Sequence, residues 1–355
     1  MKQLLIVLLL LIETSLQAQQ IPHEWEKLAS PDTIGIWIQP VEGKPAMPVW
    51  GHAQGILVGL APLPGPRGLI RIYTPYLDYE FAEVMNFIAF EPIPKGSDVR
   101  GYSELEMSTI DKGQRGKHFW SADDSTAVLP LDGTYPARGI VKEINGEETL
   151  TIYIFSEPFD NGAKVYARLR FFESRPYEFE IATYTYEGSV ELDYFISSAT
   201  MGNKARLRTL FLKDNNISSL ELWPDYKDIH FTSREHFPQK DMIRDKRGNV
   251  YFIAAPNEKD YSKTVYAPGT NNHWKYLGKY ATQYWIKNNP HEKLNGVITG
   301  RFTYWASEAS IPGGISIENL EMNSPFKNGD KYIFGITPLS PKALIKKFTT
   351  IKKNY

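Results

Sequence analysis

One short strand-like run follows another through this chain, at residues 34–39, 55–61, 69–74, 84–90, 150–156, 165–172, 177–186, 192–198, 205–212, 218–223, 250–254, 297–305, 315–322 and 331–336, with turn residues between them. No segment before Pro341 carries a helical period over about a dozen residues. Parallel strands need a crossover, usually helical, so βαβ architecture is disfavoured. In Glu178-Phe179-Glu180-Ile181 and Arg206-Leu207-Arg208 the side chains alternate between opposite faces, which implies antiparallel sheets with one face packed and the other wet. Stacking two sheets buries many such faces economically. The predicted fold is therefore all-β, a large antiparallel β-sandwich with irregular loop excursions.

Gly and Pro punctuation is heaviest at Pro62-Leu63-Pro64-Gly65-Pro66-Arg67-Gly68, which reads as a rigid connection and not a flexible linker. No low-complexity tether, fixed-period repeat or composition break divides the chain, so residues 19–355 are expected to form a single domain. The least strand-like stretch, residues 213–283, holds His230, His236 and His273, with His291 just beyond it. Long excursions from a sheet scaffold often carry function. Residues 341–355 read as a short basic helix or tail at a sheet edge.

Lys2 precedes an unbroken apolar run over residues 4–12 and a polar, small-residue stretch over residues 13–20. That is the layout of a signal peptide cut after Ala18, and the run is about half the ~20 residues a membrane-spanning anchor requires. Export to the periplasm or the medium follows as an expectation, with no membrane anchor. Cysteine is absent, which excludes disulfides, thiolate metal sites, a cysteine nucleophile and a lipoprotein attachment cysteine. Lys and Arg total 40 against 41 Asp and Glu, so no overall field gathers nucleic acid or an anionic membrane. The 21 Tyr and 8 Trp suit stacking on sugar faces and equally suit strand formation. Oligomeric state is left open.

The chain has no Gly-x-Ser-x-Gly elbow, phosphate-cradling glycine loop, His-Glu-x-x-His or dinucleotide fingerprint. Four weaker constellations remain. In Trp50-Gly51-His52, set just ahead of a strand, His52 is a proton carrier and Trp50 a sugar platform, or the pair is a structural turn. If Arg100-Gly101-Tyr102-Ser103-Glu104-Leu105-Glu106 is extended, it aims Arg100, Tyr102, Glu104 and Glu106 to one face, as a site or as a solvated sheet surface. Residues 198–208 place Lys204, Arg206 and Arg208 on one strand face, where three cations repel unless a neighbouring strand or an acidic ligand satisfies them. Finally His273, Tyr276 and Tyr280 crowd proton carriers into a stretch read as a loop, and His273 leads as catalytic candidate.

The segments at residues 100–106, 198–210 and 328–338, on a chain with this signal peptide, resemble exported proteins of bacterial polysaccharide-degradation clusters, and more particularly the oligosaccharide dehydratases of ulvan breakdown. The resemblance implies dehydration of a non-reducing-end uronate to its 4,5-unsaturated form, with an acidic oligosaccharide as partner. Such a reaction needs a cation on the carboxylate, a base near C5 and an acid for the departing C4 oxygen. Arg206 or Arg208 meets the first need, with Arg100, Trp50 and Glu104 in substrate binding, and His52, His273, Tyr276 and Tyr280 are the candidates for the others. No cofactor is required, although a Ca²⁺ held by carboxylates is an alternative to the arginine. Two other classes stay open: a glycoside hydrolase or sugar epimerase using carboxylates among Glu104, Glu106 and the acids near Asp225, and a non-catalytic glycan-binding protein.

Overall fold

The computed structural model describes residues 28–63, 65–77, 84–110, 113–126, 135–201, 206–256, 280–304, 310–311 and 313–350. Two antiparallel sheets pack face to face, as the alternating runs require. Among the described residues the first has ten strands, in the order β1 (Asp32–Ile34), β2 (Trp37–Gln39), β3 (Val49–His52), β4 (Leu57–Gly59), β5 (Leu69–Tyr73), β6 (Val84–Pro94), β12 (Leu192–Met201), β20 (Ser316–Asn323), β19 (Asn295–Arg301) and β15 (Glu235–Pro238). The second has eleven among the described residues. Its main path runs β14 (Asn216–Ser218), β13 (Thr209–Phe211), β17 (Val250–Ala255), β18 (Thr282–Lys287), β21 (Asp330–Thr337), β11 (Glu178–Thr185), β10 (Val165–Phe172), β9 (Glu147–Ser156) and β7 (Phe119–Ala122). Beside that path β16 (Ile243–Arg244) pairs with β17, and β8 (Ile140–Ile144) pairs with β9.

The core between the sheets takes alternate residues from each strand. Ile88 and Phe90 of β6 lie in it with Leu169, Phe179, Phe252, Trp285 and Phe334 from the opposite sheet. Two buried polar contacts cross the sandwich and fix how the sheets register: Asn86 Nδ2 donates to Gln283 Oε1 at 2.7 Å, and Trp285 Nε1 donates to the Leu320 carbonyl at 2.8 Å. Because Asn86, Ile88 and Phe90 of β6 point inward, Ala89 and Glu91 point to the opposite, outer face.

Four expected runs fold otherwise. Residues 34–39 make a hairpin, β1 to β2, turning at Gly35 with φ +60. Residues 218–223 hold a helical turn, α1 (Ser219–Leu222), because Ser218 Oγ accepts from Glu221 N at 3.2 Å while the Glu221 carboxylate accepts from Ser218 N at 2.6 Å. Residues 100–106 are a turn and not a strand: the Leu105 and Glu106 amides both donate to the Tyr102 carbonyl. Residues 198–208 are not one strand either, since β12 ends at Met201 in the first sheet and β13 begins at Thr209 in the second. Leu207 bridges to Ile317 of β20 at this seam.

The C-terminal helix, α2 (Pro341–Thr350), is amphipathic. It lays Leu344 and Phe348 on Tyr251, Tyr284 and Ile286 of the second sheet's outer face and keeps Lys342, Lys346 and Lys347 in water. No helix among the described residues is long and apolar enough to cross a membrane. The expected signal peptide lies outside them.

Candidate functional site

The outer face of the first sheet, over β6, β12, β20 and β19, is polar where the sandwich rule would allow a simple wet surface. Register aligns Ala89, Ser198, Glu321 and Val297 in one row across these strands, with His236 of β15 at its end. The next row aligns Phe87, Thr200, Asn319 and Thr299. Pairing shifts between Thr299 and Gly300, so β20 carries an extra residue there and Glu318 sits in the irregularity beside Asn319.

Over this face lies the turn that follows β6. Gly68 lets it approach: with φ +67 its backbone runs so close that an added Cβ would stand 1.9 Å from the Ser103 carbonyl oxygen. Ser103 is locked below by donating to that glycine's carbonyl at 2.5 Å and accepting from Phe90 N at 2.9 Å. Arg100 consequently points down onto the strands. Its Nε donates to Glu91 of β6 and its Nη2 donates to Glu321 of β20 at 2.7 Å, with all three side chains under a tenth exposed. Ser198 Oγ of the intervening strand adds a 3.0 Å bond to Glu321. Glu104 joins the same group. Burial, with repulsion from Glu321 and Glu104, pushes Glu91 well above the usual carboxylate range despite Arg100; burial also raises Glu104, while the carboxylates hold Arg100 charged. Tyr102 lies under the Arg100 guanidinium at 5.7 Å, and its hydroxyl accepts from exposed Arg234 at 3.2 Å, so this turn and the segment leading into β15 meet above the face.

Glu318 differs from its neighbours. It is 6 % exposed, and burial raises its carboxyl to about 7, with Arg301 of β19 pulling the other way. A carboxyl that ionises near neutrality is suited to taking and returning a proton. Beside it Thr299 Oγ1 and Asn319 Oδ1 are buried without a hydrogen-bond partner among the described residues. Such atoms cost about 1–3 kcal/mol each and recur where a fold serves function instead of stability. Arg301 also lies 5.2 Å from the ring centre of Phe231, which is exposed at the rim.

The residues expected from sequence do not gather here as one set. Arg100 and Glu104 do come together. Trp50 is wholly buried and donates its indole N–H to the Ala137 carbonyl at 3.0 Å, which removes it as a surface platform. His52 is 6 % exposed, accepts from Gln54 N at 3.0 Å and packs edge-on against Trp37, five strands from β20; burial lowers its pKa, with Glu173 acting in the opposite sense. Arg208 is buried at the seam with Nη1 donating to the Gly314 and Ile315 carbonyls, and Arg206 is 1 % exposed beside it. Tyr280 stands 38 % exposed just before β18 in the other sheet. His273, Tyr276 and Lys204 lie outside the described residues. Glu318, Glu91, Glu321 and Asn319 were missed, although two glutamates within residues 315–322, a run otherwise rich in Ile and Leu, were a readable signal.

Among the described residues no group of three or more His, Asp or Glu side chains is arranged to hold a metal ion. The chain matches no protein-family model and no curated protein.

Proposed function

We propose that the chain is an exported carbon–oxygen lyase that dehydrates the terminal uronate of an ulvan-type acidic oligosaccharide on this outer sheet face. The observation carrying that reading is Glu318, a buried carboxyl poised near neutrality beside a guanidinium and two unpartnered polar atoms. In the reaction the C5–H bond breaks, its electron pair forms the C4–C5 double bond, and the C4–O bond breaks as the leaving oxygen takes a proton and departs as water. Glu318 as carboxylate accepts the C5 proton. As carboxylic acid it can return one to the C4 oxygen if both lie on the same face of the ring. The exposed Arg234, with Arg301, supplies positive charge for the sugar carboxylate, whose neutralisation makes C5–H more acidic. Arg100, tied to two carboxylates, serves to hold the turn and Tyr102 in place instead.

A second reading, glycoside hydrolysis, is favoured by the number of carboxyls on one face, since that chemistry works with a pair. Mass spectrometry of treated oligosaccharides separates the two. Dehydration yields the same oligosaccharide lighter by one water, with new ultraviolet absorbance from the conjugated double bond, and hydrolysis yields fragments that together gain one water. For the lyase reading Glu318→Gln lowers turnover about 100- to 10,000-fold, the usual worth of a positioned proton carrier. Unchanged turnover in a folded Glu318→Gln protein rejects Glu318 as the proton carrier, and failure of all uronate oligosaccharides rejects the lyase.

A further inference from the structure

Over β6, β12 and β20 the outer face is covered by the turn that carries Arg100 and Tyr102, pinned to Glu91 and Glu321. Toward the opposite edge, past β19, the segment leading into β15 is instead a run of exposed side chains, namely Asp228, Ile229, His230, Phe231, Ser233 and Arg234. Phe231 is the one aromatic ring among them besides His230, and it is 43 % exposed.

A lone exposed aromatic is ordinary on a protein surface, so its mounting decides what it signifies. Gly300 of β19 backs onto the core residue Trp223, where an added Cβ would stand 2.6 Å from the indole. Its neighbour Arg301 therefore faces outward, and Phe231, which bridges to Arg301, shares that side. The Arg301 guanidinium, whose charge also acts on the Glu318 carboxyl, lies 5.2 Å from the ring centre. Glu318, Arg301 and Phe231 thus form a continuous series from the buried carboxyl to the exposed rim. The backbone that carries the ring is anchored on both sides. Thr232 N donates to the Gly300 carbonyl at 3.0 Å and Gly300 N to Thr232 Oγ1 at 2.8 Å, while the Tyr226 hydroxyl reaches the His230 and Phe231 carbonyls at 3.0 and 2.9 Å.

A protein-docking surface needs contiguous apolar area, whereas the residues flanking Phe231 are polar apart from Ile229. One aromatic face set among hydrogen-bonding groups suits a sugar, whose C–H face stacks while its hydroxyls find polar partners. Arg301 takes one face of the Phe231 ring and leaves the other to a ligand.

We propose that Phe231 is the platform for the sugar unit next to the one that reacts, so that the substrate runs from Glu318 past Arg301 and leaves over the β15 edge. The identity of the ligand as a sugar chain rests on the proposed function, whereas the platform rests on the exposure and mounting of the ring. A single uronate leaves Phe231 uncovered, so the preferred substrate has at least two units.

Two ligands test this: the methyl glycoside of a uronate, and a disaccharide with the same uronate at its non-reducing end. Binding is read by titration calorimetry on Glu318→Gln protein, and dehydration by ultraviolet absorbance on protein that keeps Glu318. With Phe231 intact the disaccharide is expected to be preferred. Phe231→Ala cuts that preference about tenfold in both readouts, the worth of covering one ring face, and does so through KM more than kcat. Phe231→Leu, which keeps apolar bulk without a flat face, shows the same loss and decides if the alanine variant does not fold. Phe231→Trp keeps the preference. A preference that survives in Phe231→Ala and Phe231→Leu, or that is absent with Phe231 intact, overturns the proposal, whether or not the replacements change self-association. Should no uronate be dehydrated while calorimetry still shows the preference and its loss, the platform stands and the lyase reading fails alone.

Discussion

Replacing Glu318 by Gln is expected to make the protein more stable while lowering the proposed turnover, with a gain in stability that depends on pH in a calculable way. In the unfolded chain this carboxyl ionises near its ordinary 4.5, whereas burial holds the folded one to about 7. Between those values the folded state binds more protons than the unfolded state, so stability falls as pH rises through the interval and levels off above it. The slope is about 1.4 kcal/mol per pH unit, and the interval amounts to about 3 kcal/mol. No discount for solvent screening applies to a group only 6 % exposed. Gln keeps the shape without the charge. Urea unfolding of both proteins at about pH 4, 5.5 and 8 should therefore show no difference at the lowest pH, about 1 kcal/mol at the middle one and about 3 kcal/mol at the highest, with unchanged m values. Against a typical total of about 5–15 kcal/mol this is readily measured. A gap that stays the same from acid to alkali would refute the claim that a buried, ionisable Glu318 is being held near neutrality.

Arg100→Met strands Glu91 and Glu321 without their shared partner, and urea unfolding at neutral pH should show a loss of about 3–5 kcal/mol that shrinks on acidification as the carboxyls protonate. His52→Gln should blunt acid sensitivity. Because burial lowers the folded pKa of His52 below 6.5, the wild type loses stability as pH falls through 6.5 toward the folded value, and the variant melted across that range should not. Phe348→Ala removes the ring that stacks on Tyr251 at 4.3 Å and should cost about 3 kcal/mol by chemical denaturation, a loss absent if α2 contributes nothing to the fold.

What the sequence made legible, and what it hid, follows from the range of the interactions involved. Alternation is local, so residues 165–172 and 177–186 marked β10 and β11 almost to the residue, and the two-sheet architecture followed from their number. Local too was the Ser218 to Glu221 spacing of a capping box, which outweighed the strand-like look of residues 218–223. The polar face is the opposite case. Arg100 and Glu321 are 221 residues apart and meet only because β12 inserts between β6 and β20. No periodicity at either end announces that pairing.

Glu318 was hidden for a further reason. On a regular strand it would share a face with Leu320 and Met322, both of which point into the core, and a lone glutamate there would read as an error in the pattern. The shift opposite Thr299 and Gly300 breaks the alternation within β20, so the face of Glu318 cannot be read by counting from its neighbours. A one-residue irregularity is thus what separates a misplaced core residue from a titrating group on a polar face. It depends on the register of β19 against β20, which tertiary packing sets. In an all-β chain, a charged residue that violates an otherwise clean strand pattern is therefore the place to look for chemistry before any histidine-rich loop is considered.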